Sequence, residues 1–459
     1  MPGMRSGLGG ANSVVVSAFQ AALLRQAAVA LVILVVMAFA WRALLRAELR
    51  RAVQGAGQQA SSWPGAAALV GEPVGRRVLR AGFGLLWFVD GLLQAQPAIP
   101  LGMTTGVIGP AAATSPAWAR HLVGLGATIW SSHPVEAPAA ALWVQVGIGA
   151  WLLVAPRGTW SRLAGVTAAG WGAVVWVFGE AFGGIFAPGL SWLYGAPGAV
   201  APYVLAGVLV ALPEERWTSA RTGRAFLALL GSFFMGMAVL QAWPGRGFWQ
   251  GRSPHRDGLG SIAAMAHQMA QTPQPHLLSS FVGAFGRFDE AHGFAVNMFV
   301  VVALAVLGTA LAAGRTPALP WALAGCWVLC LADWVLVQDL GFLGGLGTDP
   351  NSMVPMALLV TGGYLALTRP AQPSEAATAV PGPTEVLARR QGLAARWLAF
   401  RRQPGYLLRS VLALGAVGIV LLGAVPLAVV SAQPHAPAGH PSGTVPSLAT
   451  RGGGLSPPG

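Results

Sequence analysis

The chain has 15 acidic residues among 459, and two fall inside long apolar runs. Asp90 lies ten residues beyond Arg80, and Asp333 thirteen beyond Pro320. At about 1.5 Å per helical residue they sit roughly 15 and 20 Å into their helices. A carboxyl in lipid costs at least about 2.5 kcal/mol on insertion scales. Two arrangements answer that cost. Either the acid keeps its proton or bonds a neighbouring helix, or it serves a proton, cation or substrate site. A second polar set closes the apolar runs. Gln94 and Gln96 precede Pro97, Glu180 precedes Gly183-Gly184, and Gln338-Asp339 precede Gly344-Gly345. Asp349-Pro350-Asn351-Ser352 comes next, where Asp349 or Asn351 suits a helix cap with proline at an early position. Glycine pairs can aim backbone N–H groups together as anion-binding loops do, yet no phosphate-loop or dinucleotide fingerprint is present. These nine residues are the candidate polar and proton site, and no catalytic motif accompanies them.

Metal chemistry is poorly served. Met265, His267 and Met269 offer thioether and imidazole ligands of the kind copper takes. Their i, i+2, i+4 spacing does not converge on one helix face, so no metal site is expected. Cys326 and Cys330, the two cysteines, share a helix face. Two sulfurs alone do not hold a metal, and they read as small apolar packing residues.

The elements that must position these groups are membrane spans. Of the residues 54% are hydrophobic and 9% charged, against about 25% charged in an ordinary soluble domain. Mean hydropathy is +0.60. This excludes a soluble enzyme, a disordered chain and a coiled coil. Ten runs suit a hydrocarbon core about 30 Å thick: 26–45, 79–96, 139–155, 163–180, 198–213, 225–243, 294–313, 319–338, 353–368 and 406–430. Every basic residue is arginine, and the net charge is +13. If both termini lie outside, 20 of the 28 arginines fall on the inner side, as the positive-inside bias requires. The arginines flank spans and do not form a patch, so nucleic acid is not an expected partner. The bilayer is.

An internal repeat organises the spans. Leu93-Gln94-Ala95-Gln96-Pro97 matches Leu240-Gln241-Ala242-Trp243-Pro244, 147 residues on. Val123-Gly124 matches Val282-Gly283, and Arg157, Trp176 and Glu180 meet Arg315, Trp334 and Gln338, 158 residues on. An even number of spans per copy makes the copies parallel. The expected fold is all-α: a polytopic membrane protein with two parallel-repeat four-helix bundles and two flanking helices. Residues 1–77 form a signal-anchor helix and basic inner loop, 78–213 the first repeat, 214–225 an inner linker and 226–368 the second repeat. Residues 369–405 form a linker with a basic amphipathic helix, 406–430 the last span and 431–459 a disordered outer tail. Apolar stretches in the outer loops 97–138 and 244–293, with Trp118, Trp130, Phe281 and Phe285, are expected to anchor at the lipid surface.

Arg80-Ala81-Gly82-Phe83-Gly84-Leu85-Leu86-Trp87-Phe88-Val89-Asp90-Gly91 resembles the first helix of DoxX/DoxD-like membrane proteins. Val144-Gln145-Val146-Gly147-Ile148-Gly149-Ala150-Trp151-Leu152-Leu153, with Arg157 and Arg162, is similar to their second and third helices. The resemblance spans residues 78–213 and, more faintly, 226–368. It implies an accessory subunit of a quinone-linked redox system in a bacterial inner membrane, with a partner protein supplying the redox centre. Quinone is the implied cofactor, without a motif of its own. The alternatives are a proton-coupled transporter or permease, which parallel repeats and intramembrane acids suit, and a non-catalytic membrane scaffold.

Overall fold

The computed structural model describes residues 10–55, 72–186, 190–252, 258–315, 317–342, 346–370 and 406–432. These residues are helical and form no strand; one isolated antiparallel bridge joins Arg252 to Leu259. Twelve helices build the frame around the polar residues. They are α1 (Gly10–Gly55), α2 (Val74–Leu93), α3 (Ala117–Ser132), α4 (Glu136–Val154), α5 (Gly158–Val174) and α6 (Ala201–Ala211). Then come α7 (Ala220–Ala242), α8 (Ser261–Ala270), α9 (His276–Ala313), α10 (Leu319–Leu336), α11 (Met353–Thr368) and α12 (Tyr406–Ala432).

Seven segments are long and apolar enough to cross a membrane. They lie in α1, α4, α5 with its π-helical extension to Gly179, α7, α9, α10 and α12. The chain is therefore a multi-pass helical membrane protein whose apolar helices face lipid. Three other expected spans are also helices, but α6 has 11 residues and α11 has 16. The third, α2, carries Arg76, Arg77, Arg80 and Asp90. The expected amphipathic helix in 369–405, the Gly344-Gly345 pair and the tail beyond Ala432 lie outside the described residues.

Packing follows small residues. α2 lies on α4 as α7 lies on α9, and α5 lies on α6 as α10 lies on α11. α11 stands between α2 and α7; α12 covers α4, with α1 outside it. A Cβ on Gly149 would lie 2.5 Å from Phe88 N and 2.7 Å from the Gly84 carbonyl oxygen. A Cβ on Gly308 would lie 2.8 Å from both Met235 N and the Gly231 oxygen. Gly84 and Gly231 are 147 residues apart, the spacing of the expected repeat. Without side chains the backbones meet directly, which lipid-facing helices need for dispersion contact.

Two arginines at the start of α2 are buried. The Arg76 side chain is fully buried; it donates to Glu72 Oε1 (2.9 Å), Ser161 Oγ (2.8 Å) and the carbonyls of Pro156 (2.8 Å) and Val210 (3.0 Å). Arg80 donates to both Glu72 oxygens and to the Leu152 and Leu153 carbonyls. The Leu152, Leu153 and Val210 carbonyls lie at the ends of α4 and α6, where the helix dipole is negative and a guanidinium fork fits. Charge that hydropathy places in water is thus spent tying three helices together.

The outer segments differ from expectation too. The apolar stretch before residue 294 is helical from His276 and meets the following span at a kink, where His292 leaves the helical conformation (φ −129°, ψ 22°). In the first half α3 ends at His133 (φ −129°, ψ 62°), 159 residues earlier. Pro134 succeeds His133 and bars the α conformation there, whereas Gly293 lets the second helix continue. Trp118 and Phe281 are exposed, as surface anchors are, but Trp130 turns inward.

Candidate functional site

Two loops with the same unusual backbone build the site. After the π-helical turn Val175–Gly179, Ala181, Phe182 and Gly183 adopt φ of 49°, 63° and 61°. After α10, Asp339, Leu340 and Gly341 adopt 54°, 58° and 71°, each 158 residues beyond its counterpart. Non-glycine residues rarely occupy the left-handed region, so the two triplets share one unusual backbone shape. Each turn then meets a proline and a second positive-φ residue, Pro197-Gly198 in one loop and Pro350-Asn351 in the other. A polar side chain heads each turn and reaches the start of the next helix. Glu180 accepts from Val200 N at 3.1 and 3.4 Å. Gln338 donates to Ser352 Oγ at 3.2 Å.

Between these loops lies a cavity of about 1820 Å³, larger than the 300–1,000 Å³ of typical small-molecule sites. Seven of the nine candidate polar residues line it: Asp90, Gln94, Glu180, Gln338, Asp339, Asp349 and Asn351. Met265, His267 and Met269 line it as well. Gln96 does not; its amide donates to the Leu93 (3.0 Å) and Gly347 (2.7 Å) carbonyls and braces the second loop. Asp333 lies behind the wall, its carbonyl accepting from Gln338 N at 3.0 Å. Both acids sit three residues before the ends of their helices, so Asp90 belongs with the loop cluster and not to a separate mid-helix site.

The local sequence explains the positions of the acids. Asp349 turns its own loop: Oδ1 accepts from Asn351 N at 2.8 Å, and Oδ2 accepts from Thr348 Oγ1 at 2.9 Å. Neither Asp349 nor Asn351 caps α11, whose N-cap position is Ser352, and Pro350 precedes the helix. Asn351, at φ 57°, donates through Nδ2 to the Gln338 carbonyl at 2.9 Å. Burial lifts the Asp349 carboxyl above its usual range, with the Thr348 and Asn351 bonds opposing. Burial likewise lifts Asp339, opposed by the Thr272 hydroxyl 3.0 Å from Oδ2. Asp90 and Glu180 both lie within electrostatic reach of Asp349. Among the described residues no arginine lines the cavity to balance them.

Several lining residues were not singled out as site residues from the sequence. Trp87 and Tyr203 meet edge to face with ring centroids 4.9 Å apart, and Tyr203 faces Asp90. Gln145 and Trp171 complete this wall. Ten buried polar atoms along the cavity make no well-formed hydrogen bond, although the Tyr203 hydroxyl lies beside Asp90 and the Tyr194 hydroxyl beside Ser261. The donors are Trp87, Trp130 and Trp171 Nε1 and the hydroxyls of Tyr194 and Tyr203; the acceptors are on Asp90, Gln94, Gln145, Gln338 and Asp339. Buried polar groups are nearly always paired, so their concentration here is a chemical signature. Two cues were legible. Trp87, Asp90 and Gln94 share one face of α2 by i, i+3, i+7 spacing, and Gln145 interrupts an apolar run.

Among the described residues no group of three or more His, Cys, Asp or Glu could hold a metal ion. His267 Nε2 lies 2.5 Å from Glu290 Oε1 and is committed there. Cys326 and Cys330 are buried free thiols with Sγ atoms 3.9 Å apart. No family model matches this chain, and no curated protein or solved structure matches it.

Proposed function

We propose that this chain is a ten-span bacterial inner-membrane protein made of two parallel four-helix repeats, with both termini outside. Its cavity binds a small amphiphile of the quinone and quinol type. The paired left-handed turns, the paired Gly-on-Gly crossings and the His133 and His292 breaks support the repeat. Arginine placement supports the orientation.

One observation carries the ligand class: the cavity wall that holds Asp90 carries both donors and acceptors without well-formed hydrogen bonds. A quinone carbonyl accepts from tryptophan N–H or tyrosine O–H, and a quinol hydroxyl donates to Asp90 or Gln145. A wall with both can hold either form. Apolar and aromatic neighbours such as Ile108, Ile129 and Phe178 suit the remainder of such a molecule. In this reading the chain is an accessory subunit of a redox system, and a partner protein supplies the electrons' other terminus.

The test is direct. Protein purified with native lipid is expected to carry quinone, and added decylubiquinone is expected to quench its tryptophan fluorescence. Asp90→Asn is expected to weaken binding about tenfold, which is about 1.4 kcal/mol, with no change in fold. A wild-type protein that neither carries nor binds quinone overturns the reading. Proton-coupled transport is the second reading, favoured by a cavity whose walls come from both repeats. Solute uptake into proteoliposomes that Asp90→Asn abolishes would select it. A scaffold predicts no effect of Asp90→Asn on either assay.

A further inference from the structure

Two more acids are buried away from the cavity, and neither takes part in holding a quinone there. Asp289 of α9 is fully buried and Asp333 of α10 is 5% exposed. None of their four carboxyl oxygens makes a well-formed hydrogen bond, although the Ala263 N–H lies near Asp289 and the Gln338 amide near Asp333. An ionised carboxylate in such surroundings costs several kcal/mol, so burial favours the protonated form of both acids. Both lie within electrostatic reach of one phenol, Tyr194, which lines the cavity and has the Ser261 hydroxyl beside its own.

The chain goes to some length to place that phenol. The turn Trp192–Tyr194 leaves the first half and docks in the second. Ser191 Oγ donates to Gln241 Oε1 at 2.6 Å, Gln241 donates to Asn297 Oδ1 at 2.8 Å, and the Leu193 carbonyl accepts from Gln338 at 3.5 Å. Trp192 packs edge-on to Phe234 at 5.4 Å, and Tyr194 stacks at a tilt on Phe248 at 5.6 Å. The groups around the cluster are Ser261 from α8, Glu290 beside Asp289 on α9, and Cys330 and Gln338 near Asp333. None is a cation. The Glu290 carboxyl is turned to His267 and Arg252.

We infer that Asp289, Tyr194 and Asp333 form a second, proton-holding site behind the cavity wall, which exchanges protons with the cavity through the Tyr194 phenol. The phenol hydroxyl can accept a proton from one side while donating its own to the other, so charge is never left on the ring. Water bridges any gap longer than a direct bond. The inference rests on the cavity ligand gaining and losing protons, but its test does not need that ligand.

Infrared spectra of the full-length protein in nanodiscs are expected to show protonated-carboxyl C=O bands at about pH 5. One should vanish in Asp289→Asn and one in Asp333→Asn. On transfer to D2O both bands should shift quickly in the wild type. In Tyr194→Phe, which keeps the ring on Phe248, at least one should shift ten or more times more slowly. Bands absent from the wild type, or unchanged exchange in Tyr194→Phe, overturn the inference. Decylubiquinone quenching in the same samples is a separate readout: its absence counts against the proposed ligand while leaving the carboxyl bands to be judged alone. Should Asp333→Asn not fold, Asp289→Asn and Tyr194→Phe still decide the matter.

Discussion

At the scale of single residues, Asp349 shows how structure and protonation are joined. It holds a loop turn through two bonds to its carboxylate, yet burial raises its carboxyl above the ordinary 3.8. Asp339 is raised for the same reason. A folded-state acid with a raised pKa binds its proton more tightly than the unfolded chain does. Between 3.8 and the raised value the unfolded state therefore carries fewer protons, and stability falls as pH rises through that window. Below the window the contribution is whole; above it the loss is complete. The melting temperature of the purified protein is expected to decline as pH rises from about 4, and Asp349→Asn is expected to shallow the decline. Differential scanning fluorimetry across a pH series reads this. A melting temperature that climbs over the same range would mean that the carboxylates are held by favourable charge, contrary to their surroundings.

At the scale of elements, helix crossings depend on what is missing from them. A methyl on Gly149 meets backbone atoms of α2, which cannot swing aside as a side chain can. Gly149→Ala is expected to cost about 1–3 kcal/mol by overpacking, seen as a lower denaturation midpoint. Gly170 has nothing within 4 Å of a Cβ, so Gly170→Ala is expected to be neutral or mildly stabilising, since alanine favours helix over glycine by about 1 kcal/mol. Equal losses at both positions would show that helix propensity, not backbone contact, sets the response.

The same contrast explains what the sequence makes legible. Apolar runs mark the helices because lipid burial is a composition effect, and Gly84 and Gly149 appear in the runs that cross. Arg76 and Arg80 mislead, because hydropathy counts a guanidinium as solvated and cannot see the three helix ends that surround it. The left-handed triplets are invisible too. Ala181, Phe182, Asp339 and Leu340 are not residues that advertise positive φ; tertiary packing imposes it. Most of the polar loop residues were legible as a cluster, whereas Trp87 and Tyr203 were not. An aromatic in an apolar run looks like core until its N–H or O–H is found without a partner.

At the scale of the whole molecule, the proposed repeat gives two halves that share a frame but not a site. Carrying the repeat spacing through, Trp87, Asp90, Gln145, Trp171 and Tyr203 correspond to Phe234, Met237, Leu304, Leu329 and Met356. On that spacing these five positions are all apolar in the second half, whereas Gln94 keeps a polar counterpart in Gln241. Phe234, Leu304, Leu329 and Met356 are all buried, and Trp192 covers Phe234. One half keeps the chemistry, while the other fills the equivalent space with packing and receives the loop that carries Tyr194. This division predicts one ligand per chain and unequal responses to matched substitutions. Tyr203→Phe removes a single hydroxyl and is expected to weaken decylubiquinone binding several-fold with an unchanged melting temperature. Met356→Leu, which conserves volume, is expected to leave binding as it is. Isothermal titration of both variants beside the wild type measures affinity and stoichiometry together. Two ligands per chain, or equal losses from the two substitutions, would mean that the second half has kept a working copy of the site.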